Sequence, residues 1–288
     1  MKQLFDANQS EEFVRTRRII NTPSDFAKKS LFYVQETGYL KSIKSHLSER
    51  SRLNSYLFII VLSGKGTIHY KGQIYSLTSG DCALIDCMEH YMHQSNEANP
   101  WELLWVHYNG AAARDYYQYY INSSSNVFHA ETMEEYTSLI HQLIEVHQKK
   151  EASWEIIASK LITDLLTRCI TKKIPELHPK GEEIVNKLYT VKDFLEQNYR
   201  EKLLLEDVAK NFYISKYHLC REFKKLFGTT IIDYITMKRI SFAKEMLRFT
   251  KMSIEDIAQE SGYPDASYFN KVFQKMEGMT GTEFRRKW

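Results

Sequence analysis

The sequence predicts an α+β protein in two parts. A first region of short strands closes as a sandwich or small barrel and is followed by two helices; an all-α second region holds two helix-turn-helix units joined by a linker helix. Three observations predict this. Short apolar and β-branched segments separated by turn residues run over residues 31–108, the apolar period changes to three and four after residue 111, and the last hundred residues contain a duplicated unit. A length of 288 residues suits two domains, each with its own core.

The strand segments are 56–62, 66–70, 73–77, 82–85 and 103–108, broken by Ser63-Gly64-Lys65-Gly66, Lys71-Gly72 and Ser79-Gly80-Asp81. Short strands at this spacing fit either a sandwich or a barrel. Residues 133–149 then place Tyr136, Leu139, Ile140, Leu143 and Val146 on one helix face, and 154–170 do the same with Ile157, Leu161, Leu165 and Cys169. That second stripe is expected to bury itself against a second copy of the chain. Pro175, Pro179 and Gly181 interrupt the pattern, so residues 1–173 are read as one domain, 174–181 as a linker and 182–288 as the other.

Residues 1–22 carry scattered charges and lack the apolar core of an export signal, and the longest apolar run, 57–62, is far short of the ~20 residues that span a bilayer. A cytoplasmic chain with no membrane contact is expected. Cys82, Cys87, Cys169 and Cys220 form no CxxC pair and read as reduced thiols. The net charge is only +3, but all of the excess lies after residue 181, where 19 Lys and Arg face 16 Asp and Glu. An excess this small does not by itself indicate nucleic acid; the placement of the basic residues has to.

That placement is set by the repeat. Sliding the chain by 50 residues puts Leu219, Phe223, Lys225 and Gly228 on Phe269, Phe273, Lys275 and Gly278, while 206–209 fall on 255–258. Each copy reads as helix, turn, helix. Ser215 and Asp265 are N-caps; Leu219, Phe223, Leu226 and Phe227 point inward in the first copy, and Phe269, Phe273 and Met276 in the second. The opposite faces hold Lys216, Tyr217, Cys220, Arg221 and Lys224, then Ala266, Ser267, Asn270, Lys271 and Gln274. Neither contains an acid, although Glu222 and Glu277 flank them as on any solvated helix. Such faces suit phosphates and base edges. A helix over 231–249 would rise roughly 28 Å, close to the ~34 Å of one DNA turn, so both second helices could enter successive major grooves.

Residues 184–288 resemble the DNA-binding domain of the AraC/XylS family. The likeness is carried by Ile214-Ser215, Leu219, Arg221, Phe223-Lys224-Lys225, Gly228, Tyr234, Arg239, Ala243, Leu247, Ile257-Ala258, Gly262-Tyr263, Ser267-Tyr268-Phe269, Phe273, Gly278, Phe284 and Arg285. The resemblance implies base contacts from Tyr217, Cys220 and Arg221 and from Ala266, Ser267, Asn270 and Lys271. Two residues depart from the pattern: Tyr213 stands where many members have a turn glycine, and Gly281 where they have proline.

The strand region resembles the cupin-like ligand-binding domain of arabinose-type regulators in 56–66, Gly80-Asp81, His90, Pro100-Trp101 and Trp105-Val106-His107-Tyr108. It implies a cupin-like β-barrel whose mouth binds a small molecule, with a sugar the first candidate. Arg50, His90, Tyr91, His93 and Trp105 are the pocket candidates, combining an aromatic platform with polar side chains. The expected partners are duplex promoter DNA, that effector, RNA polymerase and a second copy of the chain; no cofactor, metal ligand or catalytic group is expected. The expected role is regulation of a carbohydrate uptake or catabolism operon, as activator or repressor. Two alternatives stand beside it, a regulator without an effector and a metal-dependent cupin enzyme. The second is disfavoured because His69, His90, His93 and His107 include no His-x-His pair.

Overall fold

The structure, a computed structural model, describes residues 14–122, 124–171 and 179–287, with backbone alone over 179–182. Contacts divide the chain into two units between Lys173 and Ile174. Of the expected linker, 174–178 lie outside the described residues, and 179–181 already belong to a helix.

The first unit opens with β1 (Val14–Ile20), α1 (Asp25–Ser30), β2 (Phe32–Ser42) and β3 (Leu47–Arg50). There follow β4 (Tyr56–Ser63), β5 (Lys65–Tyr70), β6 (Gln73–Thr78), β7 (Asp81–Asp86), β8 (Tyr91–Ser95) and β9 (Glu102–Gly110). It ends with α2 (Ala113–Ile121), β10 (Val127–His129), α3 (Met133–Lys149) and α4 (Trp154–Thr171). The strands form two antiparallel sheets, one in the order β1-β2-β9-β4-β7-β10 and the other β3-β8-β5-β6. Each sheet has two edge strands, so no ring of hydrogen bonds closes. The expected cupin-like barrel is therefore replaced by two open sheets, and of the alternatives that strand spacing allowed, the sandwich applies.

Parity along β4 builds both layers of the core. Leu57, Ile59 and Val61 pack with Ile68, Tyr70, Leu77 and Tyr91 of the smaller sheet. Phe58 and Ile60 turn the other way and pack with Leu139, Ile140, Leu143, Leu161 and Leu165 of α3 and α4. A central strand buried on both faces reads as a continuous apolar run. The α4 stripe is thereby used within the protomer: Leu161, Leu165 and Cys169 are buried in this core, and only Ile157, with its neighbour Ile156, stays exposed. The expected intermolecular stripe is not available at those three positions.

The second unit contains α5 (Pro179–Asn198), α6 (Leu205–Asn211), α7 (Lys216–Phe227), α8 (Ile231–Phe249), α9 (Ile254–Glu260), α10 (Ala266–Glu277) and α11 (Gly281–Lys287). It has two cores. Leu188, Val191, Leu195, Val208, Leu219, Phe223 and Ile231 form the first. Ile240, Ala243, Leu247, Ile257, Phe269, Phe273 and Phe284 form the second, so α8 contributes its start to one core and its end to the other. Leu226 and Phe227 are half-buried, and Met276, expected inward, is exposed. Val272, one turn earlier on α10, is partly buried and packs against this core.

Two arginines of the repeat serve the fold. Arg239 donates to the carbonyls of Tyr199 (2.6 Å) and Glu201 (2.8 Å), and Arg285 to those of Leu247 (3.3 Å) and Met252 (2.7 Å). Guanidinium forks thus satisfy carbonyls left over at helix ends and turns.

Candidate functional site

Two regions gather the residues singled out above: the outer faces of α7 and α10, and a cavity between the two sheets. The helix pairs α6–α7 and α9–α10 repeat one another in backbone detail. Ser215 caps α7 by accepting from the N–H of His218, and Asp265 caps α10 by accepting from that of Tyr268 at 2.7 Å. In the turns, Ile214 N–H donates to Ala209 O and Tyr263 N–H to Ala258 O, at 3.0 and 2.9 Å. The residue before each donor is left-handed, Tyr213 at φ +51° and Gly262 at φ +82°.

These two positions differ in what surrounds them. A Cβ on Gly262 would stand 2.3 Å from the Arg200 carbonyl oxygen, so glycine is needed there for space as well as for φ. Tyr213 is 92% exposed, and its turn carries the strain of a non-glycine αL residue with no steric clash added. Gly281 also has a local reason. Its N–H donates to Asn270 Oδ1 at 3.4 Å, a contact that proline lacks.

Lys216, Tyr217, Arg221, Lys224, Ser267 and Lys271 are exposed, while Cys220, Ala266 and Asn270 are half-buried. Cys220 packs against the first core and Ala266 against the second, which leaves each little freedom to meet a base edge. Arg221 is held along the helix surface: its Nε donates to Glu222 at 2.8 Å, its guanidinium meets His218 Nδ1 at 3.1 Å and lies 5.7 Å from the Tyr217 ring. Lys216 is paired with Glu206 at 2.5 Å. Lys224 and Lys271 have no acidic partner among the described residues. His218 was missed by the sequence reading; its i, i+3 spacing to Arg221 was the available signal.

The cavity has a volume of about 200 Å³. Arg50, Tyr91, His93 and Trp105 line it, whereas His90 lies outside, bonded to Glu49 at 2.6 Å on the surface. The sequence pattern did not single out as pocket candidates Arg18, Glu36, His46, Glu49 and His107, which also line it. Register explains the convergence. Gly38 pairs with Arg18 on one side and Trp105 on the other, so the three stand in one row across β1, β2 and β9. A Cβ on Gly38 would come within 2.7 Å of the indole; without one, the Arg18 guanidinium and Trp105 ring meet over β2 at 5.6 Å. Glu36 Oε1 accepts from Trp105 Nε1 at 3.1 Å and lies 3.4 Å from Arg18 Nε. Across the gap, Arg50 pairs in register with Tyr91 and Ser48 with His93, and the Tyr91 and His93 rings stack at 6.0 Å. Leu40, Leu57, Ile59 and Leu103 supply an apolar wall.

Burial pushes the cavity histidines down from the usual range, His93 to about 3 and His107 to about 4, and the nearby Arg50 charge adds to both shifts. His107 is satisfied by Ser55 Oγ at 3.1 Å, while the buried Nδ1 of His93 has no hydrogen-bond partner. Among the described residues no group of three or more His, Cys, Asp or Glu is arranged to hold a metal. No helix among them is long and apolar enough to cross a membrane.

Comparison with known proteins matches residues 208–287 to a family model described as a helix-turn-helix domain and residues 33–166 to one described as an AraC-like ligand binding domain. The lactose operon transcription activator of Staphylococcus xylosus is 30% identical over 78% of this chain and 82% of its own length. The arabinose operon regulatory protein of Escherichia coli is 25% identical over 88% of this chain and 86% of its own. Among solved structures, the C-terminal domain of the response regulator yesN from Fusobacterium nucleatum shares 29% identity over 35% of this chain and 98% of that one, with a TM-score of 0.34. By the extent of the first relative and by the two family models, the chain belongs to the AraC/XylS family of transcription regulators, with a helix-turn-helix DNA-binding region and an N-terminal ligand-binding domain.

Proposed function

We propose that this regulator reads two adjacent half-sites through α7 and α10 and controls a carbohydrate uptake or catabolism operon in response to a sugar held in the cavity between its sheets. The observation that carries the effector half is the pairing of the Trp105 indole with Arg18, Glu36 and Arg50 around one small cavity. An aromatic platform ringed by hydrogen-bonding side chains suits a sugar ring. Two relatives, the lactose operon transcription activator and the arabinose operon regulatory protein, are named for sugar operons, which supports the same class. The DNA would be met in the cytoplasm, with RNA polymerase as a further partner.

A second copy of the chain belongs to this reading, now without Leu161 and Leu165 at the contact. Exposed Ile156 and Ile157 on the outer side of α4 support a contact there. Effector control then requires that the ligand bind two arrangements of the chain with unequal affinity.

For the DNA half, Arg221 is assigned to a base edge and Lys224 to phosphate. Arg221→Ala is expected to cost about 1–3 kcal/mol at a selected site and to relax one base position, while Lys224→Ala weakens all duplexes alike and lowers the salt dependence by about one counterion. Fluorescence anisotropy on matched and singly altered duplexes separates the two. An Arg221→Ala protein that keeps its full sequence preference removes α7 as the reading helix.

A further inference from the structure

Of the four charged side chains that line the cavity, Arg18, Glu36, Glu49 and Arg50, Arg50 is the one held by no side-chain partner among the described residues. Glu36 is shared by Arg18 and Trp105, and Glu49 is bonded to His90. Arg50 makes only a 3.5 Å contact to the backbone carbonyl of Glu49, so among the described residues its guanidinium has no carboxylate partner. It lines the cavity beside an apolar wall, and its charge helps to hold His46, His93 and His107 below the ordinary histidine range. The donors of this half-buried guanidinium are thus largely unused, and its planar fork matches an oxyanion in two hydrogen bonds.

The volume limits what enters. About 200 Å³ lies below the ~300–1,000 Å³ of pockets that take drug-sized ligands, and suits one ring with a single substituent.

We propose that the cavity takes an anionic monosaccharide, a sugar acid or a sugar phosphate, with its oxyanion on Arg50, its ring against Trp105 and a hydroxyl donating to Glu36. This rests on the reading of the cavity as the effector site. Glu36 has a second oxygen available for that hydroxyl, since its bonds to Arg18 and Trp105 both use Oε1. The unpartnered Nδ1 of His93 is a further hydrogen-bonding group on the cavity wall. A neutral sugar in the same place offers the Arg50 fork no oxyanion to pair with, and this difference sets the expected preference.

The test is calorimetric titration of the full chain with two matched pairs, galactose against galacturonate and glucose against glucose 6-phosphate. The anionic member of one pair is expected to bind about tenfold tighter or more than its neutral parent, and the pair that shows it distinguishes carboxylate from phosphate. Arg50→Gln should erase that advantage with its near-ultraviolet circular dichroism unchanged, and Arg50→Lys, which keeps the charge without the fork, should retain part of it. A probe independent of the sugar is inorganic phosphate: at constant ionic strength it should raise the melting temperature of the wild type above that in chloride, and not that of Arg50→Gln. Neutral sugars that bind as tightly as their anions, with no effect of Arg50→Gln, would overturn the anion preference while leaving the cavity as a sugar site. Absence of binding by all four sugars, with no phosphate effect, would overturn both.

Discussion

Leu165→Glu is expected to unfold the first unit rather than release a folded monomer. Leu165 is fully buried in the core that joins α3 and α4 to the larger sheet. Losing a buried leucine typically costs about 2–5 kcal/mol, and a carboxylate placed in that space adds several more or must be neutralised. The total approaches the roughly 5–15 kcal/mol by which whole domains are stable. Ile157→Glu is the control on the same helix: Ile157 is 44% exposed, and a change there should stay within about 0.5 kcal/mol. Urea unfolding followed by tryptophan fluorescence in a Trp288→Phe background reads the first unit, since the other three of the four tryptophans, Trp101, Trp105 and Trp154, belong to it. A Leu165→Glu protein with a native unfolding transition would contradict the core assignment and return the stripe to a contact between chains.

Acid is expected to destabilise the same unit well before its carboxylates titrate. His93 and His107 are held neutral in the folded state, at about 3 and about 4, against about 6.5 in an unfolded chain. The unfolded state therefore binds more protons through this window, and stability falls as the pH drops from about 6.5 toward 4. At pH 5 each histidine contributes a loss of about 2 kcal/mol, on the order of 4 together, and little of this is present at pH 7.5. His93→Gln should narrow the difference between urea midpoints at the two pH values without abolishing it, since His107, His46 and His147 of the same unit are also held low by burial. Equal midpoints at pH 7.5 and pH 5 would show that these rings are not buried neutral.

What was legible in the sequence was what is local. Ser215, Asp265, the left-handed turns and the i, i+4 apolar positions of α7 and α10 all lie within a few residues of the contacts they make. The register of the duplication therefore carried over to space, Met276 excepted. The sheets were harder because the order β1-β2-β9-β4 joins strands far apart in sequence. Alternation along the segments fixes which side chains share a face but not whether the last strand returns to the first. Strand spacing leaves sandwich and barrel open, the resemblance implies the cupin-like barrel, and hydrogen bonding contradicts it.

The cavity shows the same limit at the level of single residues. Arg50, Tyr91 and His93 lie on two paired strands, and Trp105 stands out by its size. Arg18 comes from β1, outside the 31–108 strand region that the sequence indicates, and Glu36 from β2, inside that region but in none of its named segments. Their signal was Gly38, a glycine inside a strand that marks a close approach. His90 failed in the opposite way, being adjacent in sequence to cavity residues but bonded to Glu49 outside.

The central claim is that α7 and α10 of one chain read DNA together, and hydroxyl-radical footprinting of the full chain on a duplex it has selected from a random pool tests it most directly. Two protected segments about one helical turn apart on the same face of the duplex are expected, and inserting five base pairs between them should turn one away and weaken binding about tenfold or more. A single protected segment whose affinity ignores the insertion, or selection no better than random DNA, would contradict the account.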